Sequence, residues 1–234
     1  MWRMACLALL GALAGTRASA SGEYEYLMGV AEERFESVVA ATGQISGSDD
    51  GLRARERYAT GVARKLWSTV GRGGETTPED IEVAFAPGLA TPLAIFGRGK
   101  ILADQAYAAA LDDAALAAAI AHELAHLALE HQKRRLALGM ALIGGDRPAR
   151  TDRRVHLAMR LSQSDVESRL IEQEADERAL RMLWDAGLDP HGLARALAAL
   201  KPFLGEGAWD IFMEYRVKRA RLLARETGAR RAGY

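Results

Sequence analysis

The chain has 234 residues, 31 basic against 31 acidic side chains, 49% hydrophobic residues and a mean hydropathy of −0.10. That length and balance describe a globular chain with a sizeable core, and they exclude a disordered or membrane-embedded one. Even charge also argues against nucleic acid as a partner, because phosphate binding calls for an excess of Lys and Arg.

Residues 1–20 read as a secretory signal peptide. Arg3 gives a positive start, 5–15 form a short apolar run and Ala18-Ser19-Ala20 is an A-x-A cleavage site. The run is shorter than the roughly 20 apolar residues that span a bilayer, so cleavage is expected rather than anchoring, and no transmembrane helix is expected in the mature chain. Export follows, to a bacterial periplasm on the alanine- and arginine-rich style of the sequence, or to the medium. Cleavage takes the only cysteine, Cys6, with it. An exported chain without disulfides is held by its core, helped by a metal where one binds.

Two helices are expected next. Residues 23–41 carry Tyr26, Val30, Phe35, Val38 and Val39 at helical spacing, and 52–70 carry Tyr58, Val62, Leu66 and Trp67, with a polar loop over 43–51 between them. Two short strands over 81–85 and 93–96 are bounded by Pro87-Gly88, Thr91-Pro92 and Gly97-Arg98-Gly99. Asp112 or Asp113 caps an alanine-rich helix expected to run to about residue 138, with Lys133, Arg134 and Arg135 complementing its dipole. The apolar run 136–145 reads as core and 144–151 as a loop. Ser164-Asp165-Val166-Glu167 is a capping box for a helix ending at Ala186, before Gly187. Asp189-Pro190 opens another, and a last helix covers about 208–226. The expected fold class is α+β, predominantly α-helical, with a small β-sheet or hairpin.

The chemistry lies in His122-Glu123-Leu124-Ala125-His126, an HExxH motif inside the alanine-rich helix. Residues four apart share a helix face, so both imidazoles can meet one metal ion while Glu123 reaches its water. A catalytic zinc needs a third protein ligand and an open position. The metzincin arrangement requires Gly and His where this chain has Leu129 and Gln132, and His131 misses by one residue. Downstream, Glu172-Gln173-Glu174-Ala175-Asp176 offers a carboxylate. Glu172 and Asp176 share a face, one suited to the metal and the other to the free N–H of a ligand histidine, while Glu174 then points elsewhere. The plainer reading of that stretch is an acidic face pairing with Arg169, Arg178 and Arg181. His156 and His191 stay open as other third ligands.

Ala121 to His126, the later Glu172-Gln173-Glu174-Ala175-Asp176 and Ala186-Gly187-Leu188-Asp189-Pro190 together resemble the HtpX and CAAX prenyl endopeptidase family of gluzincin metallopeptidases. Upstream, Val83-Ala84-Phe85-Ala86-Pro87-Gly88 is similar to the family's edge-strand and turn segment. The resemblance covers 81–190. It implies a zincin-like domain with an active-site helix and a second ligand helix, and one Zn2+ per chain on His122, His126 and Glu172. It further implies Glu123 as general base, Asp176 behind the ligands, and Ala84 and Phe85 beside an extended peptide substrate added as a strand. Residues 21–80 are then an N-terminal helical segment packed on a catalytic domain over 81–234.

The chain also departs from the family. Glu82-Val83 stands where members usually carry an asparagine, and 209–221 lacks the His-Pro pair of soluble periplasmic members. Transition-state stabilisation is therefore unassigned, and Tyr215, Arg216 and Arg219 have ordinary helix roles as their plainer reading. The expected function is zinc-dependent hydrolysis of peptide bonds in exported or misfolded proteins. The rival is a catalytically weak, zinc-bearing chaperone-like or binding protein of the cell envelope. Lys218, Arg219, Arg221, Arg225, Arg230 and Arg231 offer a weak contact with an anionic membrane surface; Glu214 and Glu226 interrupt them and favour a solvated face.

Overall fold

The computed structural model describes residues 21–45, 50–70, 76–143, 150–162, 165–204 and 210–231. The expected signal peptide and Ser164 of the expected capping box lie outside the described residues. Helices α1 (Ser21–Ile45) and α2 (Asp50–Ser68) occupy the two N-terminal stretches. Helix α2 buries Ala59, Val62, Ala63, Leu66 and Trp67 along one stripe, as its spacing dictates.

Three strands follow, one more than expected: β1 (Glu82–Ala86), β2 (Leu93–Phe96) and β3 (Lys100–Asp104). Their order is β1-β3-β2, with β3 parallel to β1 and antiparallel to β2. The strand missing from the sequence reading is the central one. Ile101, Leu102 and Ala103 are buried on both faces, so β3 lacks the alternation that marks a half-exposed strand. Asp104 then caps the short α3 (Gln105–Ala110), accepting the Ala106 and Tyr107 N–H groups at 2.9 and 3.2 Å.

Helix α4 (Asp113–Ala128) is the axis of the molecule. Asp112 caps it by accepting the Ala115 N–H at 2.7 Å, and every residue from Ala115 to Ala121 is buried. Helices α7 (Asp165–Asp185) and α8 (Gly192–Ala199) pack on it, with α2 and β2. Small side chains set these distances: a Cβ at Gly192 would lie 2.1 Å from the Ala114 carbonyl oxygen. Asp189 accepts the His191 N–H at 2.9 Å, which makes 189–191 a turn before α8 rather than its first turn.

The alanine-rich helix does not reach residue 138. It ends at Leu129, Glu130 adopts φ 51°, and α5 (His131–Ile143) starts in a new direction. Helix α6 (Thr151–Leu161), absent from the sequence reading, packs Val155 and Ala158 on Leu136 and Met140 of α5. The two backbones nearly touch, since a Cβ at Gly139 would lie 1.9 Å from the Ala158 carbonyl oxygen. Helix α9 (Ile211–Arg231) turns Met213, Val217, Ala220 and Ala224 inward, towards α7 and α8. The result is a predominantly α-helical α+β fold, as expected. Among the described residues no helix is long and apolar enough to cross a membrane.

Candidate metal centre

Helices α4 and α7 cross with Ala125, Ala175 and Ala179 buried in the common core, which brings the HExxH turn close to Glu172. The Nε2 atoms of His122 and His126 are 3.1 Å apart. Glu172 Oε2 lies 3.2 Å from His122 Nε2, and Oε1 lies 3.7 Å from His126 Nε2. One ligand-capable atom from each of the three falls within 4.8 Å of the others. His156 and His191 are exposed and stand outside this group.

The proton positions follow from what lies behind the rings. A carboxylate only accepts, so Glu174 Oε2, 3.2 Å from His131 Nε2, places a proton on that nitrogen. Neutral His131 then offers a lone pair at Nδ1 to His126 Nδ1–H, 2.9 Å away, and His126 keeps its lone pair at Nε2. On the other ring, His122 Nδ1 is 3.0 Å from Asp176 Oδ1, an ion-pair contact too oblique for a well-formed hydrogen bond. His126 thus turns a lone pair, and Glu172 a carboxylate, towards the point that the Nε2 atom of His122 also faces. Such a set of two nitrogens and one oxygen fits zinc, with its open side to the cleft.

Charge at the site tells the same story. Burial opposes protonation of His122, but Asp176 and Glu172 outweigh it and raise its pKa to about 10. His126, buried beside His122, falls to about 3. Burial would raise Glu172 and Asp176, yet His122 and Arg216 hold both carboxyls well below the usual range. Glu123 behaves differently: burial pushes its carboxyl up to about 7, against the pull of His122.

These groups line a cavity of about 340 Å³ together with Tyr107, Leu193, Leu197, Leu200 and Leu204. Residues 91–95, leading into and along β2, form one wall. Ile95 N–H donates to Glu123 Oε2 at 3.0 Å, and Gln132 Nε2 donates to the Ile95 carbonyl at 3.1 Å. Ala84 and Phe85, expected beside the cleft, are on the wrong edge of the sheet. They are buried in β1, whose Phe85 N–H donates to Glu56 and whose Val83 N–H donates to Thr60, both from α2. The free edge facing the site belongs to β2.

The profile of Peptidase family M48 matches residues 78–223, more than half of the chain. The chain belongs to that family. A comparison with curated proteins finds no match. Membership makes it a metallopeptidase, of the kind that the HExxH and ExxxD segments resemble.

Sequence reasoning left two parts of this M48 site without a role. Arg216 is buried, with Nε and Nη2 each donating to the Asp176 carboxylate at 2.8 Å and Nη1 3.1 Å from Glu172 Oε2. Its signal was a charge on the face of α9 that also carries Met213, Val217 and Ala220. Tyr215 is exposed instead, and Arg219 pairs with Glu177. The second part is His131, which spacing alone placed on a continuing helix and which the break after α4 turns back towards His126.

Proposed function

We propose that this M48 chain is a zinc-dependent endopeptidase, holding one Zn2+ on His122, His126 and Glu172 with Glu123 as general base. The observation that carries the reading is the convergence of His122, His126 and Glu172 beside the buried Glu123 carboxylate in one cavity. Zinc held by such a set supplies a Lewis acid that lowers the pKa of water towards neutrality and polarises a carbonyl. The chain's own groups do the rest. Glu123, raised to about 7 by burial, is matched to take a proton from the attacking water and return it to the leaving amine near neutral pH. The Ile95 N–H steadies one of its oxygens and leaves the other for that proton. Asp176, clasped by Arg216, keeps the His122 ring from turning.

The substrate in this reading is an extended segment of an exported or misfolded protein. The outward-facing C=O of Ile95 is held by Gln132, so a peptide added along β2 exchanges with that side chain while the Ile95 N–H stays on Glu123. The leucines of the cavity lining, Leu193, Leu197, Leu200 and Leu204, suit an apolar substrate side chain. The leader read at 1–20 supports action in the periplasm or outside the cell. Zinc analysis and degradation of an unfolded model protein test the assignment on wild type and Glu123→Gln. The variant is expected to keep its zinc while cleavage falls by about 10²–10⁴-fold. Undiminished cleavage in Glu123→Gln removes the general base, and zinc without chelator-sensitive cleavage in wild type favours a binding protein.

A further inference from the structure

The break between α4 and α5 has an effect at the metal centre. On a continuous helix, residue 131 would project about 140° round the axis from His126 and away from it. Instead Glu130 takes φ 51°, α5 begins, and the His131 ring folds back, 1% exposed, beneath His126. The two rings meet edge to face with centroids 5.0 Å apart. Behind His131 stands Glu174, and Arg134 closes the series with Nη1 2.6 Å from Glu174 Oε2 and Nε 2.8 Å from Glu167.

We infer that His131 is a positioning residue: by accepting the His126 Nδ1–H it fixes the tautomer and ring plane of His126 and so sets the metal affinity of the site. The inference rests on the reading of His126 as a zinc ligand. A ligating histidine needs a partner for its other nitrogen, and the partners that serve are carboxylates, carbonyls and water. His126 has an imidazole in that place. His131 can accept only while its own proton stays on Nε2, and Glu174 is what holds the proton there. The acceptor is neutral, so it orients His126 without adding a second negative charge behind the metal. Glu174 thereby acts at two removes, through His131 and then His126.

The test uses the full chain as wild type, His131→Phe, His131→Asn and Glu174→Ala. Zinc affinity is measured by competition with a chromogenic chelator, and ligand geometry by the visible absorption of the Co2+-loaded protein. His131→Phe fills the space without an acceptor and is expected to weaken zinc binding by about 10–100-fold and to shift the cobalt bands. His131→Asn returns an oxygen near the Nδ1 position and is expected to recover most of the affinity. Glu174→Ala, at a half-exposed position, is expected to keep the fold and to lose affinity measurably, by about three- to tenfold. Wild-type affinity and cobalt spectrum in His131→Phe overturn the inference, as does an equal loss in the Phe and Asn variants, which would mark a packing role only. If His131→Phe does not fold, unchanged affinity in Glu174→Ala overturns it. No zinc on the wild type overturns the metal reading itself, whereas zinc on the wild type with His131→Phe unaffected overturns this inference alone.

Discussion

The two histidines of the candidate metal centre sit one turn apart on one helix, yet different chemistry stands behind each. Behind His122 is a closed, buried set: Asp176 and Arg216 are each 5% exposed, joined by paired hydrogen bonds and packed between α4, α7 and α9. Behind His126 is an open series, in which buried His131 leads to the Glu174 side chain at 47% exposure and the Arg134 side chain at 39%. The difference separates two jobs. A buried charge that loses its partner has no water to turn to, so the His122 side is tied to folding. On the His126 side water replaces what is removed at the outer end, so changes there reach the metal with little effect on the fold.

The largest effect expected on stability comes from Asp176→Ala. It leaves the buried Arg216 with Glu172 alone and removes the ion-pair contact of His122, and about 3 kcal/mol should be lost, read by urea unfolding with a chelator present. A loss below about 1 kcal/mol would put the two sides on the same footing, at the level of exposed ion pairs. Zinc content gives the next contrast. Glu172→Ala should remove stoichiometric zinc and Glu174→Ala should not; the reverse order would move the third ligand.

Asp112→Ala tests the helix that carries both sides. Losing the cap of α4 should cost about 1 kcal/mol and disturb both histidines alike. The Ala115 N–H holds the Asp112 carboxyl below its usual pKa. Its contribution is therefore full above the usual carboxylate range and disappears as pH falls through the lowered folded value, so wild type and variant should converge in acid. Smallest is Glu130→Gly, which relieves the positive φ at the break and removes only an exposed pair with Lys133. Stability should rise by up to about 1 kcal/mol with zinc affinity unchanged. A fall in affinity would show that the Glu130 side chain, and not only its backbone, places His131.

What was legible in the sequence was local. Helical spacing brings His122 and His126 to one face, and the same rule pairs Glu172 with Asp176, because both relations lie within a single turn. The capped start of α4 was legible for the same reason. The break after Leu129 was not, since Glu130 takes up a left-handed conformation without the glycine or asparagine that usually announces one. Missing that break hid the partnership of His131 with His126. Arg216 meets Asp176 only through the packing of α9 on α7, a contact between segments 40 residues apart in the chain. The family resemblance implies Ala84 and Phe85 of β1 beside the cleft; both β1 and β2 are edge strands, and only the tertiary arrangement shows that α2 covers β1.

A three-stranded sheet has two outer edges, and here they are closed in different ways. Thr60 and Glu56 shut β1 from a neighbouring helix, while β2 is held by Glu123 and Gln132, side chains at the mouth of the reaction chamber. An enzyme that reads extended backbone has to present the very template through which proteins aggregate. This chain confines its β2 edge to four residues and occupies it at Ile95 with Glu123 and Gln132, which also line the cavity. In the proposed reading a peptide gains that edge only by displacing a side chain already bonded to it, and the same bond keeps the edge from pairing with a second copy of the chain.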